Sequence, residues 1–220
     1  MIKAILFDMD GTIIDDEKYT VLSKQREGKK LGYNIKREDV LKTIGLARDK
    51  SCRLYKDIYG EDFPFEELSV YRTQYIINSW KNGIKLKPYV KKIIKFCKKN
   101  GIIIGICTST IQEIVDEFRK YGDIFDQFDF VLTGDKIPAG RGKPNPDIFL
   151  KGLEMTGVKK EECLVIEDGN IGVEASLNAG IEVIMIPDLV KPQGRTLTSR
   201  VKVYKNMNDV IEYVKEVNGI

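Results

Sequence analysis

Four short clusters of polar residues carry side chains able to do chemistry. Asp8-Met9-Asp10-Gly11-Thr12 places two carboxylates at i and i+2 ahead of a glycine. Carboxylates that close repel unless a cation or a shared proton intervenes, and carboxylate and carbonyl oxygens suit Mg²⁺. Thr108-Ser109-Thr110 offers hydroxyls and backbone N–H groups where a helix begins, and a helix start is an anion site. Gly142-Lys143-Pro144-Asn145-Pro146-Asp147 holds a lysine on a Pro-stiffened loop, a fixed positive charge for a phosphoryl oxygen or an anionic nucleophile. Glu167-Asp168-Gly169 ends an apolar run with two acids, costly unless they are paired or bind metal.

Each cluster taken alone has a plainer reading. Asp-Gly is a common turn, Thr108-Ser109-Thr110 reads equally as a helix N-cap, and a lone loop lysine is ordinarily a surface residue. Histidine is absent. That excludes Ser-His-Asp and Cys-His catalysis and His-ligated metals, and leaves acid/base work to carboxylates, Lys, Tyr or Cys.

The elements that must position these clusters are strands. Ala4–Phe7, Ile102–Cys107, Phe128–Leu132, Cys163–Ile166 and Val183–Ile186 are short, apolar and rich in β-branched residues, as buried parallel strands are. Val201–Tyr204 is a weaker sixth. Helical patterns alternate with them over Tyr89–Lys99, Ile111–Tyr121, Asp147–Thr156, Gly172–Asn178 and Asn208–Val217. The alternation predicts an α/β fold with a doubly wound, mainly parallel, Rossmann-like sheet. Every polar cluster then lies just past a strand end, where open α/β sheets bind ligands. From about 15 to 84 no buried strand is readable. The periodic segments Lys18–Lys30, Arg37–Ile44, Asp49–Tyr59 and Phe65–Trp80 predict a helical insert after the first strand, with the core formed by 1–14 and 85–220.

The 220 residues carry a net charge of +3, too small and too spread out for a nucleic-acid binder. The densest basic run, Lys91-Lys92 to Lys98-Lys99, has helical spacing and reads as a solvated face. No apolar run approaches the roughly 20 residues of a membrane span, and MIKAILFDMDG reads as a strand rather than a signal peptide. Cys52, Cys97, Cys107 and Cys163 lack paired spacing. They read as free, mostly buried thiols, and a cytoplasmic location is expected.

Together the four clusters resemble the motifs of the haloacid dehalogenase superfamily, in order, strand-end placement and separation. Asp8-Met9-Asp10-Gly11-Thr12 is similar to its first motif, Thr108 to its second, Lys143 to its third and Glu167-Asp168 to its fourth. GKPNPDIFLKGLE and IEDGNIGVEASLNAGI resemble the subgroup of small-metabolite phosphatases, β-phosphoglucomutases and phosphoglycolate phosphatases, which carries a helical cap after the first motif. The resemblance implies an Mg²⁺-dependent phosphatase of a small phosphorylated metabolite. Asp8 would be its nucleophile and Asp10 its acid/base, with Thr108 and Lys143 neutralising charge. The metal would be held by Asp8, Asp168, Glu167 and the Asp10 carbonyl. Ser109, Gly11 and Thr12 would contact the substrate, and Arg48, in a segment resembling the family's specificity loop, would lie over it. A monomer or weak dimer is expected, with no nucleic-acid or membrane partner. Two departures are Tyr89, where many relatives have Gly, and Gly169, where many have Ser. A third departure bears on a mutase reading: the mutases carry a histidine on the first cap helix, where this chain has Lys18-Tyr19-Thr20.

Overall fold

The computed structural model describes residues 1–80 and 83–220. Of the insert expected over 15–84, residues 81 and 82 therefore lie outside the described residues. Six strands form one sheet: β1 Ala4–Phe7, β2 Ile103–Cys107, β3 Phe130–Leu132, β4 Cys163–Glu167, β5 Glu182–Met185 and β6 Val201–Val203. Their order is β3-β2-β1-β4-β5-β6, and all five pairings are parallel. Strand order reverses between β1 and β4, the place where an open α/β sheet opens a crevice at its carboxyl ends.

Alternation of side chains along the strands divides the core in two. Ile5 and Phe7 of β1 face one layer, with Ile104 and Ile106 of β2. Ala4 and Leu6 face the other, with Cys107. The first layer is covered by α5 (Val90–Lys99), α6 (Gln112–Arg119) and α9 (Met207–Asn218), the second by α7 (Asp147–Thr156) and α8 (Asn170–Ala179). Helix α5 shows why its lysines stay outside. Val90, Ile93, Ile94 and Cys97 recur at i, i+3, i+4 and i+7 and are buried, which leaves the basic run on the solvent face. Cys97, Cys107 and Cys163 are buried, Cys52 half-buried, and all four are free thiols.

Among the described residues four helices stand between β1 and α5: α1 Glu17–Lys30, α2 Arg37–Leu41, α3 Arg48–Tyr59 and α4 Phe65–Ser79. They build a cluster of their own from Val21, Ile35, Val40, Tyr55, Phe63, Phe65 and Leu68. Tyr55 lies stacked on Phe63 at 5.1 Å between ring centroids. The helix expected over Arg37–Ile44 stops at Leu41, because Thr43 turns its hydroxyl back to the Val40 carbonyl at 2.7 Å. That competes with helix continuation.

Tyr89, immediately before α5, is the only non-glycine among the described residues with positive φ, at 66°. A left-handed conformation costs a residue with a side chain about 1–2 kcal/mol. The Tyr89 ring is half exposed and gives little packing in return. Tyr89→Gly relieves that strain against about 0.5–1 kcal/mol of added unfolded-chain freedom. It is expected to raise Tm by about 1–4 °C, measured by thermal denaturation monitored by circular dichroism.

Candidate active site

Strand register sets the site. Phe7 pairs with Ile106 on one side and Ile166 on the other. The residue after β1, Asp8, therefore stands level with Glu167, the last residue of β4, and one step short of Thr108. Asp168 follows directly. Lys143 arrives from the loop before α7 and donates to Asp8 Oδ1 at 2.5 Å and to Glu167 Oε1 at 2.6 Å. Its side chain is fully buried. Backbone N–H groups of Asp168 and Gly169 donate to Glu167 Oε2 at 3.1 and 3.4 Å. Gly172 makes room for that carboxylate, since a Cβ there would lie 1.7 Å from Glu167 Oε1.

The charges do not balance without help. Asp8, Glu167 and Asp168 are buried, and one oxygen of each lies within 4.8 Å of the others. Among the described residues one ammonium, that of Lys143, serves two of them, and both oxygens of Asp168 are without a hydrogen-bond partner. Burial, then the charges of Glu167, Glu17 and Asp8, push the Asp168 carboxyl well above the usual range. Burial and Glu167 push Asp8 the same way, against the attraction of Lys143. Burial would lower the Lys143 ammonium, but Asp8 and Glu167 outweigh it and hold the group charged. Three carboxylates and one ammonium leave two negative charges, and an all-oxygen donor set with an orphaned carboxylate fits a hard divalent cation.

Asp10 sits apart from that trio. Its Oδ2 accepts from Thr110 Oγ1 at 2.7 Å and from Thr108 Oγ1 at 3.4 Å. Its Oδ1 accepts from Arg72 at 3.0 Å. Arg72 also reaches Asp16 at 3.0 Å and Thr20 at 3.0 Å. Burial would raise the Asp10 carboxyl, but the Arg72 guanidinium and these hydrogen bonds hold it below the usual range.

The other expected site residues fall around this centre in different roles. Gly11 has φ of 79°, and a Cβ there would lie 2.4 Å from Asp168 Oδ2, so it is packed beneath the acid cluster. Thr12 is buried and its hydroxyl has no partner. Ser109 donates to the Gly45 carbonyl at 3.2 Å, joining the β2 end to the helical insert. Arg48 lines the same cavity as Asp8 and Asp10, while its guanidinium pairs with exposed Glu66 and lies over the Phe65 ring at 5.5 Å. Two further contacts close the insert on the core. Lys50 donates to the Gly142 carbonyl at 2.8 Å, and the Gly140 N–H donates to Asp49 at 2.8 Å.

Arg72 and Thr110 escape the motif reading. Thr110 stands in a quoted cluster, but no spacing ranks it above Thr108. Arg72 had a usable signal. Phe65, Leu68, Arg72 and Ile76 follow i, i+3, i+7 and i+11 along α4, and the other three are buried. A guanidinium in an apolar stripe needs a buried acid partner.

A family model described as haloacid dehalogenase-like hydrolase matches residues 5–186. Phosphoglycolate phosphatase of Aquifex aeolicus is 28% identical over 187 residues, covering 83% of this chain and 84% of its own length. Hexitol phosphatase B of Escherichia coli K12 is 28% identical over 84% of each chain. The solved structure of β-phosphoglucomutase from Clostridium difficile shares the fold, with a TM-score of 0.79 at 22% identity over 98% of this chain and 96% of its own.

A divalent cation bound by the acid trio would stabilise the fold independently of any turnover. At Mg²⁺ about 100 times its Kd the gain is about 2.7 kcal/mol, a rise in Tm of roughly 5–10 °C in differential scanning calorimetry. Asp168→Asn is expected to abolish that rise without lowering the metal-free Tm, because it removes a buried, unpartnered carboxylate.

Proposed function

The chain belongs to the haloacid dehalogenase-like hydrolases, and we propose that within this family it is an Mg²⁺-dependent phosphatase of a small phosphorylated metabolite. The observation that carries the reading is the convergence of Asp8, Lys143, Glu167 and Asp168 at adjacent strand ends, with the Asp168 carboxylate left unsatisfied.

Asp8 attacks the phosphorus of a monoester. The bond from phosphorus to the alcohol oxygen breaks, and an aspartyl-phosphate forms on Asp8. Asp10 gives the departing alkoxide its proton. It then takes a proton from water as the water attacks phosphorus, which releases inorganic phosphate and restores the Asp8 carboxylate. Arg72 and Thr110 favour the carboxylate form of Asp10 that is left once it has protonated the alkoxide, the form that accepts the water proton. Lys143 keeps Asp8 in place and offsets charge on the phosphoryl oxygens. Mg²⁺, when bound by Asp8, Asp168, Glu167 and the Asp10 carbonyl, supplies further positive charge to the transferring group. Residues 15–84 act as a cap over the core of 1–14 and 85–220, keeping bulk water out and selecting the substrate. Ser109 and Arg48, which line the cavity, complete the substrate surround, while Gly11 and Thr12, expected there from the motif, pack beneath it.

A hexose-phosphate mutase is the second reading, favoured by the fold shared with β-phosphoglucomutase. The first insert helix here presents Lys18, Tyr19 and Thr20. Lys18 is tied to Asp15 at 2.6 Å on the surface, and Thr20 carries no charge. Neither reproduces a histidine that would reserve the phosphoryl group for a sugar hydroxyl, so water is the expected acceptor.

Phosphate release from a panel of phosphorylated metabolites with Mg²⁺ tests the assignment. Asp8→Asn is expected to fold and to lose about three orders of magnitude or more of turnover. Asp10→Asn should lose about 10²–10⁴-fold while keeping the Mg²⁺-dependent rise in Tm. With β-glucose 1-phosphate and a trace of the 1,6-bisphosphate, free phosphate should exceed glucose 6-phosphate. Glucose 6-phosphate forming much faster than phosphate would establish the mutase instead.

A further inference from the structure

Among the cations that line the cavity, Lys24 is the one with no ion pair to a carboxylate among the described residues. Helix α1 presents Glu17, Thr20 and Lys24 to the cavity that Asp8 and Asp10 line, at i, i+3 and i+7 on one face. Glu17 marks the floor: a Cβ on Gly11 would touch both Asp168 and the Glu17 side chain, at 2.4 and 3.0 Å. Lys24 lies seven residues further on, about 10 Å along the helix at 1.5 Å per residue.

The surroundings of Lys24 differ from those of the other two cations lining the cavity. Arg72 is paired with Asp10 and Asp16, and Arg48 with Glu66. Among the described residues Lys24 has no carboxylate within ion-pair distance. Its one hydrogen bond runs to Thr43 Oγ1 at 3.4 Å, and its ammonium lies 5.1 Å from the centroid of the buried Tyr55 ring. Thr20, Thr43, Ser51 and Ser69 add hydroxyls to the same wall. A cavity of about 120 Å³ is small beside the 300–1,000 Å³ typical of sites for drug-sized ligands.

We infer that Lys24 recognises a second acidic group at the end of the substrate away from the transferred phosphoryl, so that the substrate is a small phosphomonoester bearing a further carboxylate or phosphate. The inference rests on the phosphatase reading for the end at Asp8 and extends it to the opposite end. A half-buried ammonium with two guanidiniums lining the same cavity sits in a field that the Glu17 and Asp10 carboxylates only partly offset. Burial first, then the charge of Arg72 and, less, that of Arg48, lower the ammonium's pKa to about 8 against the opposing charges of Glu17 and Asp10, and a bound anion strengthens that opposition. Lysine suits either anion because it acts as a compact charge rather than a planar fork.

Calorimetric binding to the full-length protein with Mg²⁺ tests this without turnover, using three non-hydrolysable probes: propylphosphonate, 3-phosphonopropionate and 1,3-propanediphosphonate. The wild type is expected to bind at least one of the two acid-bearing probes about tenfold or more tightly than propylphosphonate, the scale of one charge-assisted contact. The better of the two names the distal group. Lys24→Gln should bring that ratio to within about twofold of unity, and Lys24→Arg should retain most of it. Lys24→Met, which keeps an apolar stem over Tyr55, is the second variant should Lys24→Gln not fold. Equal affinity for all three probes in the wild type, or a ratio unchanged in the folded neutral variant, overturns the inference. Failure of the phosphatase reading would register separately, as no phosphate released from para-nitrophenyl phosphate while the affinity ratio persists.

Discussion

A fully buried ammonium between two buried carboxylates is the constraint around which the molecule is arranged. Lys143 bridges Asp8 and Glu167 with no water-exposed surface on its side chain. Removing one partner of such a group strands a charge in a low-dielectric interior, at about 3–5 kcal/mol. Three segments must therefore arrive together: the end of β1, the end of β4 and the loop before α7. Parallel pairing of β1 with β4 in fixed register supplies the first two. Gly172 and the backbone N–H groups after Glu167 complete the cradle. The same packing leaves Asp168 without a protein partner, so the feature that ties the sheet ends together also creates the demand for a cation.

The helical insert meets this centre through a second ionic knot. Arg72 crosses from α4 to Asp10 and Asp16, linking the insert to the turn after β1. Hydrogen bonds from Ser109, Lys50 and the Gly140 N–H fasten the segment 45–50 to the core loops. Ala47 packs against Gly142, where a Cβ would lie 2.3 Å from that of Ala47. The insert thus touches the loop that carries Lys143 and the residue that positions Asp10. Its own aromatic cluster around Tyr55 is separate from both layers beneath the sheet. Such a division lets wall residues such as Lys24 and Arg48 vary without disturbing the sheet ends.

The chain's own residue order determined a large part of this. Short β-branched runs alternating with amphipathic segments can bury their apolar faces only as a layered parallel sheet. All six strands were legible within two residues at either end, five of them because the run is apolar on both faces. The polar clusters were legible because they break those runs abruptly at strand ends. Asp8, Asp10, Glu167 and Asp168 could each be named from such breaks, whereas Lys143, on the loop before α7, was named from its motif.

What the order of residues left open were the partners of those groups. Spacing along the chain says nothing of which acid a buried cation will meet. Lys143 could have been a solvated loop lysine, and Arg72 lay 62 positions from Asp10 in a helix whose pattern was otherwise ordinary. Arg48, prominent in its motif, turned its guanidinium to Glu66, while Lys24, in no motif, has no acid partner among the described residues. These outcomes depend on how α1 and α4 pack against the turn after β1. Packing brings together side chains far apart in sequence, and only the resulting distances decide which charges are neutralised and which stay available to a ligand.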